Sequence, residues 1–281
     1  MALSSLKSYI ASLPKRRIEA RLAKTGNRLC VLGIVKNEIE AIDEWVEHYL
    51  WQGAAGIFVI DNGSDDGTVE ALQKWVDRGK VELIQLNKPH RQRQHYWTAI
   101  KAFRLRQRFE WLLIADADEF WFCRDGSTLQ HKLDTLEGID WVKLIYARWT
   151  LFGSSGHDEQ PDSIRKGFVH RQEALGSLLH AKWICRTADL KRFGMLDIHR
   201  VRGICSSKTV MLDDIFQLNH YQIQSRSFYT RKKLTRGDVI SARNIRHMHN
   251  FEELDQRCTV RDETLANRLP DSPGTGSDQA R

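Results

Sequence analysis

The chain has 281 residues, of which 41% are hydrophobic and 28% are charged, a balance typical of a globular protein that buries a core. No apolar run approaches the roughly 18 residues that a membrane-spanning helix needs, and the N-terminus lacks the pattern of a secretory signal. The net charge of +7 is concentrated in residues 1–28, where seven basic residues accompany the single acid Glu19. Because the remainder is nearly neutral, the composition excludes a nucleic-acid-binding surface across the main domain.

Residues 1–27 are predicted to form a basic N-terminal helical segment. An amphipathic basic helix can lie on anionic lipid and give peripheral membrane association, whereas a solvated leading helix explains the same charges more simply. The five cysteines are odd in number and lack the CxxC spacing of zinc sites, which indicates reduced thiols. The sequence therefore predicts a cytoplasmic protein, located at the inner face of the plasma membrane if the N-terminal segment binds lipid.

From residue 28 onward, short apolar runs alternate with helical patterns. The predicted strands cover residues 30–35, 57–60, 81–85 and 111–115. The predicted helices between them cover residues 39–51, 68–76 and 95–109. Alternation of this kind predicts an α/β fold, in which a mostly parallel sheet carries helices on both faces.

The second half of the chain has a looser pattern. Strands are predicted at 141–147 and within 168–190 and 211–220, followed by a basic helical region at 225–246 and a last helix at 251–267. Residues 270–281 contain almost no large apolar side chain and are predicted to be a disordered tail.

Three polar clusters each follow a predicted strand: KNE, DNGSDDGT and DADE. The carboxyl ends of parallel strands share one edge of a sheet, where ligands of such folds bind. Asp116, Asp118 and Glu119 of the third cluster offer the hard oxygen ligands that suit Mn²⁺ or Mg²⁺. A single pair of acids at a strand end more often forms a turn or a helix cap, but three clusters at one edge favour a metal-dependent site.

The order VKNE, VIDNGSDDGT and WLLIADADEFW resembles family 2 glycosyltransferases, in particular a bacterial branch with an extended DADEF motif. The resemblance runs from about residue 29 to 237 and implies a GT-A fold over residues 28–269. Residues 28–124 would form the nucleotide-sugar-binding half, and residues 125–269 the acceptor half with the C-terminal helices. The implied reaction is an inverting, metal-dependent transfer from a nucleotide-sugar, preferably UDP-linked, to a glycan or lipid-linked sugar acceptor.

The resemblance also implies roles for individual residues. It assigns the nucleotide pocket to four residues of the first two clusters: Asn37, Glu38, Asp61 and Asn62. Asp61 would contact the nucleoside, and Asn62 stands where the family loop carries a second acid. Asp116 would approach the ribose or the ion, and Asp118 would ligate the ion directly.

The segment LNHYQIQSRSFYTRKKLTRGD resembles the C-terminal element of the same family, in which a histidine after a strand returns to the metal. This similarity implies His220 as a third metal ligand, with His199 as a competitor. Lys233 and Arg236 would belong to a loop that closes over the diphosphate.

Two further assignments come from chemistry. Arg91 or Arg93 can bind the donor diphosphate, because guanidinium groups match its oxygens, although a solvated basic helix face is an equal alternative. An inverting transfer needs a general base, and the loop FGSSGHDEQPD supplies Asp158 as first choice and His157 as second. A polar surface loop is the alternative for these two residues.

Two other functions are alternatives to a glycosyltransferase. A nucleotidyltransferase usually carries a Gly-rich phosphate loop after its first strand, where this chain has VKNEIEA. A catalytically silent binding or scaffold protein of the same fold is the second alternative, although both metal acids are present. The sequence leaves the oligomeric state open.

Overall fold

The computed structural model describes residues 28–135, 141–177, 179–235 and 246–269. The predicted helical segment at 1–27, the predicted tail at 270–281 and Arg236 lie outside the described residues. Within the described part, no helix has the length and apolar character needed to cross a membrane.

The first half of the chain builds four parallel strands. They are β1 (Leu29–Val35), β2 (Gly56–Asp61), β3 (Val81–Gln85) and β4 (Trp111–Ile114). The helices between them are α1 (Ile42–Trp51), α2 (Thr68–Asp77), α3 (Gln92–Ala102) and α4 (Leu105–Arg108). All four predicted strands are confirmed. The single helix predicted at 95–109 is instead divided in two, because Arg104 adopts a left-handed φ of 53°.

The second half extends the same sheet. Its strands are β5 (Glu119–Cys123), β6 (Leu144–Leu151), β7 (His170–Arg171), β8 (Ala181–Arg186), β9 (Thr209–Met211), β10 (Phe216–His220) and β11 (Val260–Arg261). Strands β7 and β11 are not part of the large sheet, because they pair with each other in a separate antiparallel sheet. Its helices are α5 (Leu129–Thr135), α6 (Ile164–Gly167), α7 (Arg226–Phe228) and α8 (Met248–Arg257), and a π-helical turn at Tyr229–Lys233 follows α7 directly. The helix predicted at 251–267 is wrong beyond Arg257, where the chain turns into β11.

The large sheet has the order β3-β2-β1-β4-β8-β6-β10-β5, with β9 also paired to β6. Strand β8 runs antiparallel to both of its neighbours, and β5 runs antiparallel to β10. The remaining pairs are parallel, so the predicted α/β class with a mostly parallel sheet is confirmed. The proposed division of this domain at residue 124 stays a prediction.

The strands of the first half are buried on both faces, as parallel strands between two helical layers must be. In β1, Leu29 and Val31 pack into one core cluster, and Cys30 and Leu32 pack into the cluster on the opposite face. This alternation follows from the two-residue period of a strand. It fixes the strands rigidly and leaves the loops at their carboxyl ends as the exposed edge.

Leu113 of β4 is fully buried, whereas Leu179 is 56% exposed, so the two leucines form a matched pair for mutation. We expect Leu113→Ala to lower the free energy of unfolding by about 2–5 kcal/mol, because it removes apolar contacts and leaves a cavity. Leu179→Ala should change it by no more than about 0.5 kcal/mol. Urea denaturation measures both values, and similar losses in the two variants would contradict this placement of β4.

Candidate active site

The first two polar clusters contact each other at the carboxyl ends of β1 and β2. The side-chain amide of Asn37 donates to the carboxylate of Asp65 at 2.7 Å, and the backbone N–H of Asp65 donates back to the Asn37 amide oxygen at 2.9 Å. The buried carboxylate of Asp61 accepts from the backbone N–H groups of Gly63 at 3.1 Å and Ser64 at 3.2 Å. Asp61 therefore fixes the shape of the loop after β2.

Glu38 and Asn62 join this loop to its neighbours. The backbone N–H of Glu38 donates to the Thr68 hydroxyl at 2.8 Å, which ties the end of β1 to the start of α2. The side-chain amide of Asn62 donates to the carbonyl oxygen of Leu86, and it lies 3.3 Å from the carbonyl oxygen of Lys88. Asn62 thus faces the segment that follows β3.

The third cluster, residues 116–119, forms an acidic loop after β4 that surrounds a buried lysine. The ammonium of Lys182, in β8, lies 2.7 Å from the Asp116 carboxylate and 3.4 Å from the Glu119 carboxylate. The side chains of Lys182 and Glu119 are fully buried. The indole N–H of Trp149 also donates to Glu119, at 2.8 Å. Lys182 is therefore the fixed counter-ion of the acidic loop.

The pKa values of these groups follow from burial and charge. Burial raises the pKa of Glu119 to about 8, although the ammonium of Lys182 opposes the shift. Burial alone lowers the pKa of Lys182, but Asp116 and Glu119 outweigh it and raise the pKa above its usual value. The Lys182 ammonium consequently stays charged beside Asp116, while Glu119 holds a proton more readily than an ordinary glutamate.

Two side chains of helix α1 donate hydrogen bonds to the backbone of the acidic loop. The indole N–H of Trp45 donates to the carbonyl oxygen of Asp116 at 2.9 Å, and the Tyr49 hydroxyl donates to that of Glu119 at 3.0 Å. A Cβ atom on Gly33 would lie only 3.1 Å from the Trp45 ring, so glycine lets the indole approach β1 closely. The loop is thus held by its main chain as well as by Lys182.

Asp118 lies beside two groups from the second half of the chain. Its carboxylate oxygens lie 3.5 Å from Nε2 of His220 and 3.4 Å from Nζ of Lys233. Burial raises the pKa of Asp118, but Lys233 and His220 outweigh burial and hold that pKa well below its usual range. The predicted neighbours Asp118, His220 and Lys233 do lie together.

The side chains around Asp118 include oxygen and nitrogen groups of the kind that bind a divalent ion. Among the residues that the structure describes, no three His, Cys, Asp or Glu side chains lie close enough together to form a metal cluster. Lys182 already binds Asp116, whereas a carboxylate oxygen of Asp118 lies 3.5 Å from Nε2 of His220, close enough for one ion to contact both groups. Mn²⁺ and Mg²⁺ are often held by one or two protein ligands plus substrate phosphates, so these two residues fit such an ion.

The π-helical turn Tyr229–Lys233, here named the basic turn, connects the first and third clusters. Besides the contact of Lys233 with Asp118, Lys232 donates to the carbonyl oxygen of Asn37, and Arg231 lies 2.9 Å from the Glu40 carboxylate. A cavity of about 330 Å³ opens here, lined in part by Asn37, Arg231 and Lys232. The basic turn therefore brings three cations to the predicted nucleotide pocket.

Four other predicted residues lie elsewhere. Nε of Arg93 donates to the carbonyl oxygen of Leu196 at 2.7 Å, and Arg91 is exposed at the start of α3. The His157 ring contacts the Gly167 carbonyl oxygen at 3.1 Å. The Asp158 side chain is 87% exposed. Neither arginine and neither proposed base has a described contact with the acidic loop.

His157 and Asp158 instead bond to α7, the short helix that leads directly into the basic turn. Their carbonyl oxygens accept from the backbone N–H groups of Arg226 at 3.1 Å and Ser227 at 2.8 Å, at the start of α7. Sequence reasoning missed Lys182 and the role of Glu119. The signal was a lysine inside the otherwise apolar strand AKWICR, since lysine is almost never fully buried unless it is paired.

Residues 28–259 match the family model of Glycosyltransferase family 92. The chain belongs to Glycosyltransferase family 92. The predicted family 2 assignment is therefore not supported, although the broader glycosyltransferase resemblance is confirmed. The predicted GT-A type of fold is also confirmed in its broad form, because the mostly parallel sheet carries the acidic loop at the carboxyl end of β4.

Two plant members of family 92 resemble this chain. The protein from Oryza sativa subsp. japonica is 27% identical over 172 residues, which cover 61% of this chain and 29% of that protein. The protein from Arabidopsis thaliana is 28% identical over 150 residues, which cover 48% of this chain and 24% of that protein. The chain thus spans less than a third of the length of either relative.

Two solved structures are also similar to this family 92 chain. S. aureus TarS 1-349 in complex with UDP-GlcNAc has a TM-score of 0.42 and 16% identity, and the match covers 71% of this chain and 60% of that one. GalNAc-T7 with UDP, GalNAc and Mn²⁺ has a TM-score of 0.42 and 10% identity, and the match covers 70% of this chain and 45% of that one.

Replacing Lys182 tests its role as a buried counter-ion. We expect Lys182→Met to lower the free energy of unfolding at pH 7 by about 3–5 kcal/mol, because it leaves Asp116 and Glu119 without their shared cation. Lys143→Met is the matched control, since Lys143 pairs with Asp189 but keeps 37% of its side chain exposed. The control should lose no more than about 1 kcal/mol in urea denaturation. Equal losses would show that Lys182 is not buried as described.

Proposed function

We propose that this family 92 chain transfers a sugar from a nucleotide-sugar, UDP-linked in the first instance, to a hydroxyl group of a glycan or lipid-linked sugar. The transfer is an inverting displacement at the anomeric carbon. Family membership supports the class of reaction. The observation that carries the proposal is the convergence of His220 and Lys233 on Asp118, beside the cavity at the strand ends.

A departing nucleotide diphosphate carries concentrated negative charge, which fixed cations stabilise. Lys233 supplies one such cation, and it binds the diphosphate by exchanging the Asp118 carboxylate for phosphate oxygens. Lys232 lies on the same turn and borders the cavity with Asn37. We assign the nucleoside to this cavity, whose walls include Asn37, Glu40 and Asp66.

Asp118 and His220 are the residues that would hold Mn²⁺ or Mg²⁺. When bound, the ion supplies positive charge that stabilises the leaving diphosphate. The ammonium of Lys182 already balances the charge of Asp116, so Asp118 is the carboxylate that can bind the ion. Asp116 thus stays paired with Lys182, while Asp118 can exchange Lys233 for a bound ion.

We also propose that the protein acts in the cytoplasm, at the inner face of the plasma membrane, with the basic N-terminal segment on anionic lipid. All five cysteines are unpaired, and four of them are buried, which supports a reducing compartment.

Thermal unfolding with UDP, GDP, CDP and TDP, each with Mn²⁺ or with a chelator, tests the donor class. A ligand present at 100 times its Kd stabilises the folded state by about 2.7 kcal/mol. We expect one nucleotide, UDP first, to raise the Tm by several degrees with Mn²⁺ and by much less with the chelator. Asp118→Asn, which keeps the side-chain shape but removes the charge, should abolish the metal-dependent part.

Asp125→Asn is the control for this experiment, because Asp125 is an exposed acid outside the acidic loop. Its partner is Lys132 of α5. It should keep the full nucleotide response. Absence of any nucleotide response in the unchanged protein would contradict the proposed function. An unchanged response in Asp118→Asn would leave nucleotide binding in place but remove Asp118 from the site.

A further inference from the structure

Three histidines surround Trp149, the residue whose indole N–H binds Glu119. The ring of His180 stacks parallel to the indole at a centroid distance of 5.2 Å, and His220 lies against it at 4.2 Å. His199 meets the indole edge-on at 5.2 Å. The three imidazoles therefore lie beside the acidic loop. Of the three, His220 is the one already proposed as a metal ligand.

His199 sits on a short loop that is held in place. The loop closes with a backbone bridge between Leu196 and Val201. Three side chains bond to its backbone at donor–acceptor distances of 2.7, 3.1 and 3.0 Å: Arg93 of α3, Trp183 of β8 and Tyr146 of β6. This anchoring gives Arg93 a positioning role, in contrast to the donor contact predicted from the sequence.

The hydrogen bond of His199 fixes its tautomer. Nδ1 lies 3.1 Å from the carbonyl oxygen of Ala181, the residue before Lys182. Because a carbonyl oxygen can only accept, Nδ1 carries the hydrogen, and the neutral ring then has a lone pair on Nε2. Nε2 makes no hydrogen bond to another described residue, and the side chain is half-buried. This nitrogen is therefore available to a ligand.

Burial and the positive charge of Lys182 keep the His199 ring neutral. Burial lowers its pKa, and the ammonium of Lys182 lowers it further. The carboxylates of Asp116 and Asp197 act in the opposite direction but do not cancel the shift. At pH 7 the side chain is thus an unprotonated imidazole beside the acidic loop, the state that a proton acceptor requires.

We propose that His199 is the general base of the transfer, an inference that rests on the proposed function. The acceptor hydroxyl oxygen forms a bond to the anomeric carbon, and Nε2 of His199 takes the hydroxyl proton. The bond between the anomeric carbon and the phosphate oxygen breaks, and the nucleoside diphosphate leaves with its electron pair. His199 has one advantage over Asp158 and His157, namely its position beside the acidic loop.

The tautomer can be tested without any substrate. Long-range ¹H–¹⁵N NMR spectra of the ¹⁵N-histidine-labelled protein at pH 7 distinguish the two neutral tautomers and the doubly protonated ring. The signal of His199 is the one that disappears in His199→Gln. We expect the pattern of hydrogen on Nδ1 with Nε2 bare. Hydrogen on Nε2, in either the other tautomer or the charged ring, would overturn the proposal.

The kinetic test measures UDP release from UDP-glucose, UDP-galactose and UDP-N-acetylglucosamine, with methyl hexosides as acceptors. His199→Gln should lose at least about 100-fold of the acceptor-dependent rate, since positioned bases contribute about 10²–10⁴-fold. Its stabilisation by UDP and Mn²⁺ should match that of the unchanged protein. His131→Gln, on the exposed surface of α5, is the control and should keep its rate.

The possible outcomes separate this inference from the proposed function. A His199→Gln rate within about threefold of the unchanged protein, or a selective loss in His157→Gln, overturns the role of His199 and leaves the proposed function standing. Failure of the unchanged protein to bind any nucleotide overturns both. If it binds nucleotide but turns over none of these pairs, the NMR result decides.

Discussion

The site depends on one buried ion pair, that of Lys182 with Asp116 and Glu119. Burying the Lys182 ammonium carries a large desolvation cost, which only close pairing and further hydrogen bonds can offset. Trp149 and the backbone N–H of Asp116 supply such bonds to Glu119, at 2.8 and 3.0 Å. The pair therefore joins β4 to β8, and with them the two halves of the sheet, at the edge where the strands of the first half end.

This constraint gives the acidic loop two unlike sides. Asp116 and Glu119 point at the buried Lys182, whereas Asp118 lies beside the imidazole of His220 and the ammonium of Lys233. Lys233 lies on a short π-helical turn, and π-helical segments are frequent at functional sites. A rigid side that sets the geometry and an adaptable side that meets phosphate together suit a transfer reaction.

The sequence predicted the first half of the fold well, because strands that are buried on both faces give continuous apolar runs. It also predicted that Asp118, His220 and Lys233 meet, through a family resemblance. It could not predict β5, since EFWFC follows the acids so closely that it resembles the end of a loop. The pairing of Lys182 was also hidden, because it joins residues 66 positions apart across an antiparallel strand pair. The family itself was misjudged because the shared motifs are short.

We propose that Asp118 and His220 hold the ion beside a nucleoside diphosphate. Anomalous X-ray scattering from crystals grown with UDP and Mn²⁺ tests it most directly. We expect one manganese peak in contact with the Asp118 carboxylate and the His220 imidazole, with the diphosphate next to Lys233. Manganese bound to Asp116 in place of Lys182, or a diphosphate remote from the basic turn, would contradict it.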